Sequence, residues 1–216
     1  TMSSGLDCDD WSEDSPGGED RMQNQEDQPN WANFTLDLDQ VHEPGTRAAY
    51  CSGGQHVTGA AVSAASGMWL PDFYQRYFAT PLNMGTYHMN LSPVGRGYGG
   101  GGLYLLPRDF LKLGQLYLND GVWKGRRILP DVWVAAALAP AHNIGDEGYG
   151  YGWWSFDYPA PAGTAYYAGG NGGQYVLVIP ALELTIAIFG GNYNQRVMHN
   201  SKYELIPQYV LPAVNN

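Results

Sequence analysis

The sequence predicts a mixed fold, α/β of the α+β kind, in which an antiparallel sheet is flanked by helices. Two β-branched and aromatic runs, Gln174 to Ile179 and Leu184 to Phe189, are separated by Pro180-Ala181-Leu182-Glu183, the signature of a β-hairpin in a buried sheet. Two stretches read as helices: an Ala-rich one from Gly53 to Ser66, and one from Pro107 that puts Phe110, Leu113, Leu116 and Tyr117 on one face. A chain of 216 residues, 44% hydrophobic and with 7 Trp, is long enough to bury a core as one domain.

In chain order, the first segment stands apart by charge. Residues 1–43 carry 12 Asp and Glu against the single Arg21, a charge of −11, while residues 44–216 carry 9 acids and 10 Lys and Arg, a charge of +1. The acidity therefore describes one solvated segment, and with no basic cluster elsewhere it disfavours a nucleic-acid partner. From Asp7 to Gln40 the composition predicts a long excursion with little regular structure, anchored by Trp11, Trp31 and Phe34. No run of about 18 apolar residues is present, so no membrane span is expected.

Residues 44–147 read as a helical region. Pro44-Gly45 makes a turn into Tyr50-Cys51-Ser52, and the Ala-rich helix follows. Pro71 to Phe78 begins with a proline suited to a helix start and places aromatics at helical spacing, which predicts a short helix with its aromatics in the core. Gly95 to Gly102 lacks the Gly-Lys-Ser/Thr ending of a phosphate loop and reads as scaffold. The Pro107 helix stops at Asn119-Asp120-Gly121, and another helix is expected from Asp131 to Leu138.

Residues 148–216 read as strands closed by a final helix. Tyr149 to Tyr158 predicts one strand, with Trp153 and Trp154 as packing residues. The hairpin follows, and then an amphipathic helix between Ser201 and Val214 interrupted by Pro207 and Pro212. Five glycines between Gly163 and Gly173 let the backbone pass close to something or simply enter a strand tightly. The five histidines show no metal-ligand spacing, so no metal and no cofactor are expected. Cys8 and Cys51 are too few for a disulfide scaffold.

Three stretches resemble the serine β-lactamase and penicillin-binding protein superfamily, above all its class C-like esterases and amide hydrolases. Thr1-Met2-Ser3-Ser4-Gly5-Leu6 looks like the segment that follows the nucleophile helix. Tyr50-Cys51-Ser52 looks like the Tyr-x-Asn motif in its Tyr-x-Ser form, and Tyr167-Ala168-Gly169, followed by Gly170, occupies the place of the Lys-Thr-Gly or His-x-Gly triplet on a strand that edges the active site.

The resemblance implies a serine hydrolase acting on a small ester or amide through an acyl-serine. Tyr50 would be the general base or proton shuttle, Ser52 a polar orienting group, and the Gly170 N–H one of two oxyanion donors. Tyr167, Ala168 and Gly169 would border the substrate. Asn171 and Gln174 would contact it or only close the hairpin. Because Tyr167 replaces the usual cation of the triplet, an ester or neutral amide is favoured over a β-lactam. The resemblance also brings Cys8 near the Tyr50 motif, where the two cysteines either form a bridge or are small buried hydrophobes. A bridge would favour a periplasmic or secreted protein.

The superfamily's Ser-x-x-Lys is absent: the lysines are Lys112, Lys124 and Lys202, preceded at three residues by Asp109, Gly121 and His199. The nucleophile is expected from an N-terminal segment of the same protein outside this sequence. Two rival readings are a non-catalytic ligand-binding module and an N-terminal hydrolase using Thr1.

Overall fold

The computed structural model describes residues 1–24 and 29–214. The chain divides into two compact units, one of Thr1–Leu105 with His142–Gly145, the other of Leu106–Ala141 with Asp146–Asn216.

In the first unit the acidic segment carries two short helices, α1 (Glu19–Asn24) and α2 (Trp31–Leu36). Against the expectation of little regular structure from Asp7 to Gln40, these two helices are the regular elements among the described residues. Asn30 caps α2 by accepting the Asn33 N–H, and the buried Met22 and Ala32 give each helix an anchor too brief to register as a periodic pattern. Helix α3 (Ser52–Ser66) is the unit's longest, and it ends at Gly67, whose φ of 66° supplies the left-handed terminus. The glycine-rich stretch packs its backbone on α3: a Cβ on Gly99 would lie 2.7 Å from the Gln55 carbonyl oxygen, so only glycine permits that approach.

Helix α4 (Leu70–Tyr74) continues into a π-helical turn, Gln75–Ala79. The aromatics here do not form a core, contrary to expectation. Phe73 and Tyr77 rings lie 4.6 Å apart, Tyr74 and Tyr87 4.9 Å apart, and Tyr77 remains exposed, so these rings pack on one another at the surface. Strands β1 (His88–Met89) and β2 (Leu103–Tyr104) form a small antiparallel pair.

The second unit opens with α5 (Pro107–Leu118), followed by the two-residue strands β3 (Val122–Trp123) and β4 (Arg126–Arg127) and by α6 (Asp131–Leu138). Strand β5 (His142–Ile144) is counted with the first unit. It is followed by β6 (Glu147–Tyr149), β7 (Trp154–Tyr158), β8 (Gly163–Gly170), β9 (Gln174–Ile179) and β10 (Leu184–Ile188). They give a six-stranded antiparallel sheet in the order β10-β9-β8-β7-β6-β5.

The hairpin forms as expected, with Leu184 opposite Ile179 and Ile188 opposite Tyr175. Strand β9 is buried on both faces. Val176 and Val178 face a core with Tyr117, Val134, Ala137 and Trp153. The single strand expected over Tyr149–Tyr158 is instead two strands, because Gly150 to Trp153 turn: Gly152 has φ 80°, and the Gly150 N–H donates to the Trp153 carbonyl. The C-terminal segment is helical through Pro207, as a π-helix (Ser201–Val210) that runs into α7 (Leu211–Val214), so Pro207 and Pro212 do not interrupt it. The wider π spacing accommodates a proline that a regular α-helix would exclude.

Candidate active site

The Tyr50 motif is held in place by the first ten residues. The Ala49 N–H donates to the Met2 carbonyl at 2.9 Å, and the Asp10 N–H donates to the Tyr50 carbonyl at 2.8 Å. Trp11 stacks on the Tyr50 ring with 6.3 Å between centroids and planes 10° apart. Cys51, in an extended conformation, caps α3 by accepting the Gly54 N–H on its sulfur at 3.2 Å. The same sulfur is bonded to Cys8, with a Cα–Cα distance of 5.5 Å. Of the two arrangements open to the cysteines, the bridge is the one formed. It fixes the residue after Tyr50 to the residue two before Asp10.

The electrostatics around this motif are acidic. Asp10 accepts the Ser52 N–H on Oδ2 at 2.8 Å and the Glu19 N–H on Oδ1 at 2.9 Å. The Tyr98 hydroxyl donates to Glu19 Oε1. Ser52 is 3% exposed, and its hydroxyl is engaged by Asp10 and Tyr98. Burial raises the carboxyls of Asp10 and Glu19 above their ordinary range against the hydrogen bonds they accept. Burial also pushes the Tyr50 phenol up to about 12, with the charges of Asp10 and Glu19 adding to it. Asp10 accepts the first N–H of α3, placing its carboxylate where the helix dipole favours an anion. The Tyr50 phenol is therefore protonated at neutral pH.

In the second unit, β8 outruns one neighbour. Its pairing with β7 ends where Trp154 meets Tyr167, whereas pairing with β9 continues through Ala168, Gly169 and Gly170. The last three residues of β8 thus have a neighbouring strand on one side only, and Gly169 and Gly170 are exposed. The Gly170 carbonyl accepts from the Gly173 N–H at 3.2 Å, closing a turn in which Gly172 and Gly173 have φ 100° and 90°, values that glycine alone adopts easily.

Asn171 braces this turn, donating to Asn194 Oδ1 at 2.6 Å and accepting the Asn194 N–H at 2.8 Å. The Gln174 amide donates to the Gly190 carbonyl at 2.6 Å. Both side chains are engaged within the turn region. Tyr167 points away from the open end: it is 5% exposed, and its hydroxyl donates to Glu147 Oε2 at 2.5 Å. Ala168 lies on the opposite face, against the core of Val176 and Val178.

Sequence reasoning singled out Tyr50 and the glycine end of β8 as candidates but not the groups that surround them. Asp10 and Glu19 sat unmarked in an acidic segment, and Glu147 and Lys202 are 55 residues apart with no motif to join them. The single hint was the Asp9-Asp10 pair beside Cys8. A shallow groove of about 470 Å³ in the first unit, lined by Trp69, Pro71, Gln75, Tyr87, His88 and Leu91 among others, does not include Tyr50. Among the described residues no cluster of His, Cys, Asp and Glu could hold a metal ion, and no helix is long and apolar enough to cross a membrane.

A family model described as Beta-lactamase matches residues 1–198. A search of curated proteins finds no match. Among solved structures, a variant of simvastatin synthase from Aspergillus terreus superposes with a TM-score of 0.73 at 17% identity, covering 100% of this chain and 66% of that one. A putative 6-aminohexanoate-dimer hydrolase from Bacillus anthracis gives 0.71 at 18% identity, covering 94% and 51%. An octameric penicillin-binding protein homologue from Pyrococcus abyssi gives 0.70 at 17% identity, covering 98% and 55%. At these identities the likeness is one of fold, and the chain spans roughly half to two thirds of these three proteins.

Proposed function

The chain belongs to the beta-lactamase family, and from that premise we propose that it forms part of a serine hydrolase that cleaves an ester or amide bond through an acyl-serine intermediate. The Ser-x-x-Lys pair would come from a segment of the same protein outside this sequence. The observation that carries the reading is the position of Tyr50: it directly precedes the cap of α3, strapped by a disulfide and by Asp10. A tyrosine held this firmly at a helix start is suited to pass a proton to and from one fixed hydroxyl.

In this account Tyr50 shuttles the proton and Ser52 orients the motif from behind through Asp10. The free end of β8 at Gly170, next to Gly169, supplies a backbone donor to the developing oxyanion, while the side chains of Tyr167 and Ala168 hold the strand from its two faces and those of Asn171 and Gln174 hold the turn behind it. The raised phenol of Tyr50 supports the need for a second segment, because a nearby lysine is what would bring it into working range. The bridge between Cys8 and Cys51 supports a periplasmic or secreted setting.

The likeness in fold to a protein named as a putative 6-aminohexanoate-dimer hydrolase is in keeping with hydrolysis of an ester or amide bond. An intact-mass spectrum of the naturally expressed protein, before and after a fluorophosphonate probe, tests the reading. One probe adduct on a serine, with the labelling rate lost in Tyr50→Phe, supports it. An unlabelled protein that still binds the family's ester and amide substrates would instead be a ligand-binding module.

A further inference from the structure

Lys202 has only 2% of its surface exposed, and it lies beyond residue 198, where the family match ends. Its ammonium donates to Glu147 Oε1 at 2.8 Å and to the Tyr167 hydroxyl at 2.7 Å. It lies 4.0 Å from the centroid of the Tyr167 ring, 4.6 Å from Tyr203, 5.3 Å from Phe156 and 5.8 Å from Tyr175. Glu147 also accepts from Tyr203 at 2.6 Å. A buried ion pair gains little net stability over apolar packing of the same volume, so its value lies in the geometry it imposes. Lys202 is neutralised by Glu147 and enclosed by rings, which leaves it no path to a substrate.

What it does hold is the glycine end of β8. Tyr167 is two residues before Gly169, and the register partner of Gly169 is Tyr175, whose ring lies against that glycine and 5.7 Å from the Tyr167 ring. His199 Nδ1 lies 3.0 Å from the Tyr175 hydroxyl, and Met198 accepts the Gly172 N–H on sulfur at 3.4 Å. The Tyr158 hydroxyl donates to the Lys202 carbonyl at 2.5 Å, which ties the same segment to β7. The segment from Met198 to Tyr203 therefore braces β8, β9 and the turn between them, with Lys202 at the centre.

We propose that Lys202 is a positioning residue that fixes the Gly169–Gly170 end of β8 through Tyr167 and Glu147. This assignment rests on the functional reading above. The C-terminal segment then decides how firmly the backbone donors of β8 are aimed.

The test uses the naturally expressed protein with Lys202→Met, Tyr167→Phe and Glu147→Gln, and Tyr209→Ala as an exposed control on the same segment. Hydrogen exchange and hydrolysis of p-nitrophenyl acetate are measured well below each variant's Tm. Lys202→Met is expected to speed exchange in peptides covering 169–173 by about tenfold or more while 176–178 stay protected. It should also lower kcat by about tenfold with KM within about twofold. Tyr167→Phe should give most of the same loss, and the double variant less than the product of the two.

Unchanged exchange at 169–173, or a loss of protection shared equally by the whole sheet, would overturn the proposal. Should Lys202→Met fail to fold, Tyr167→Phe and Glu147→Gln decide by the same two readouts. Should the parent protein hydrolyse neither an ester nor an amide and take up no fluorophosphonate, the functional reading fails, and the exchange pattern alone still decides whether Lys202 holds the strand end.

Discussion

The Asp10 carboxylate accepts the Ser52 N–H at 2.8 Å while the Asp10 N–H donates to the Tyr50 carbonyl at 2.8 Å, so one residue grips the motif on both sides of Cys51. Its charge also acts on the phenol. After burial, Asp10 is the largest influence raising Tyr50 to about 12, followed by Glu19.

Asp10→Asn keeps the shape and removes that charge. The Tyr50 ionisation midpoint should fall, read as the ultraviolet difference titration between each protein and the same protein carrying Tyr50→Phe, which isolates one tyrosine among 16. The stability change should be small, within about 1 kcal/mol, because one lost hydrogen bond is offset by no longer burying a charge. An unmoved midpoint would show that Asp10 does not set the field at Tyr50.

The bridge between Cys8 and Cys51 closes a loop with a sequence separation of 43 residues. Chain entropy for a loop of that size corresponds to about 4 kcal/mol of stabilisation. The Cys8→Ser, Cys51→Ser variant should lose stability by up to that amount in urea denaturation, and exchange should rise first at residues 8–10 and 50–52. A loss confined to global stability, with those segments as protected as before, would show that Asp10 and Met2 suffice to hold Tyr50.

Acid should first strengthen and then weaken this protein. The carboxyls of Asp10 and Glu19 are raised by burial above 3.8 and 4.5, so their contribution is full below those values and is lost as pH rises through the folded-state values. Glu147 behaves in the opposite sense. Burial alone would raise it, but the hydrogen bonds from Lys202, Tyr167 and Tyr203 outweigh burial and hold it below 4.5, so its contribution is lost as pH falls through its folded value. Tm should therefore climb as pH falls from neutral toward the carboxylate range and drop below it. Asp10→Asn should flatten the climb and Glu147→Gln part of the drop; a climb unaffected by Asp10→Asn would refute the assignment.

What the sequence made legible follows from what acts locally. The β9–β10 hairpin was readable because its β-branched runs and proline break are contiguous, and α5 because proline at its start and Asn119-Asp120-Gly121 at its end bound an apolar face. The turn at Gly150–Trp153 was not, since the aromatic alternation continues across it. Tyr50 could be placed from its neighbours in sequence, but the charges that govern it arrive from residues 10 and 19, and the brace on β8 arrives from residue 202. Those partnerships belong to tertiary structure, which periodicity does not encode. The short, polar α1 and α2 lacked any pattern long enough to read.

Gly169 is exposed, yet it should tolerate no side chain. A Cβ there would lie 2.7 Å from Cδ1 and 2.8 Å from Cε1 of Tyr175, and 3.3 Å from Cδ2 of Tyr167. The Tyr175 ring cannot swing away cheaply, because its hydroxyl is bonded to His199 and its other side faces Tyr167. Gly169→Ala should therefore cost about 1–3 kcal/mol, the usual range for an overpacked site, although surface substitutions normally cost far less. In a Tyr175→Leu background the added cost of Gly169→Ala should shrink by half or more, since the obstructing ring edge is gone. Urea denaturation of the four proteins reads this directly. An equal cost in both backgrounds would trace the penalty to the backbone of β8 and not to the tyrosine beneath it.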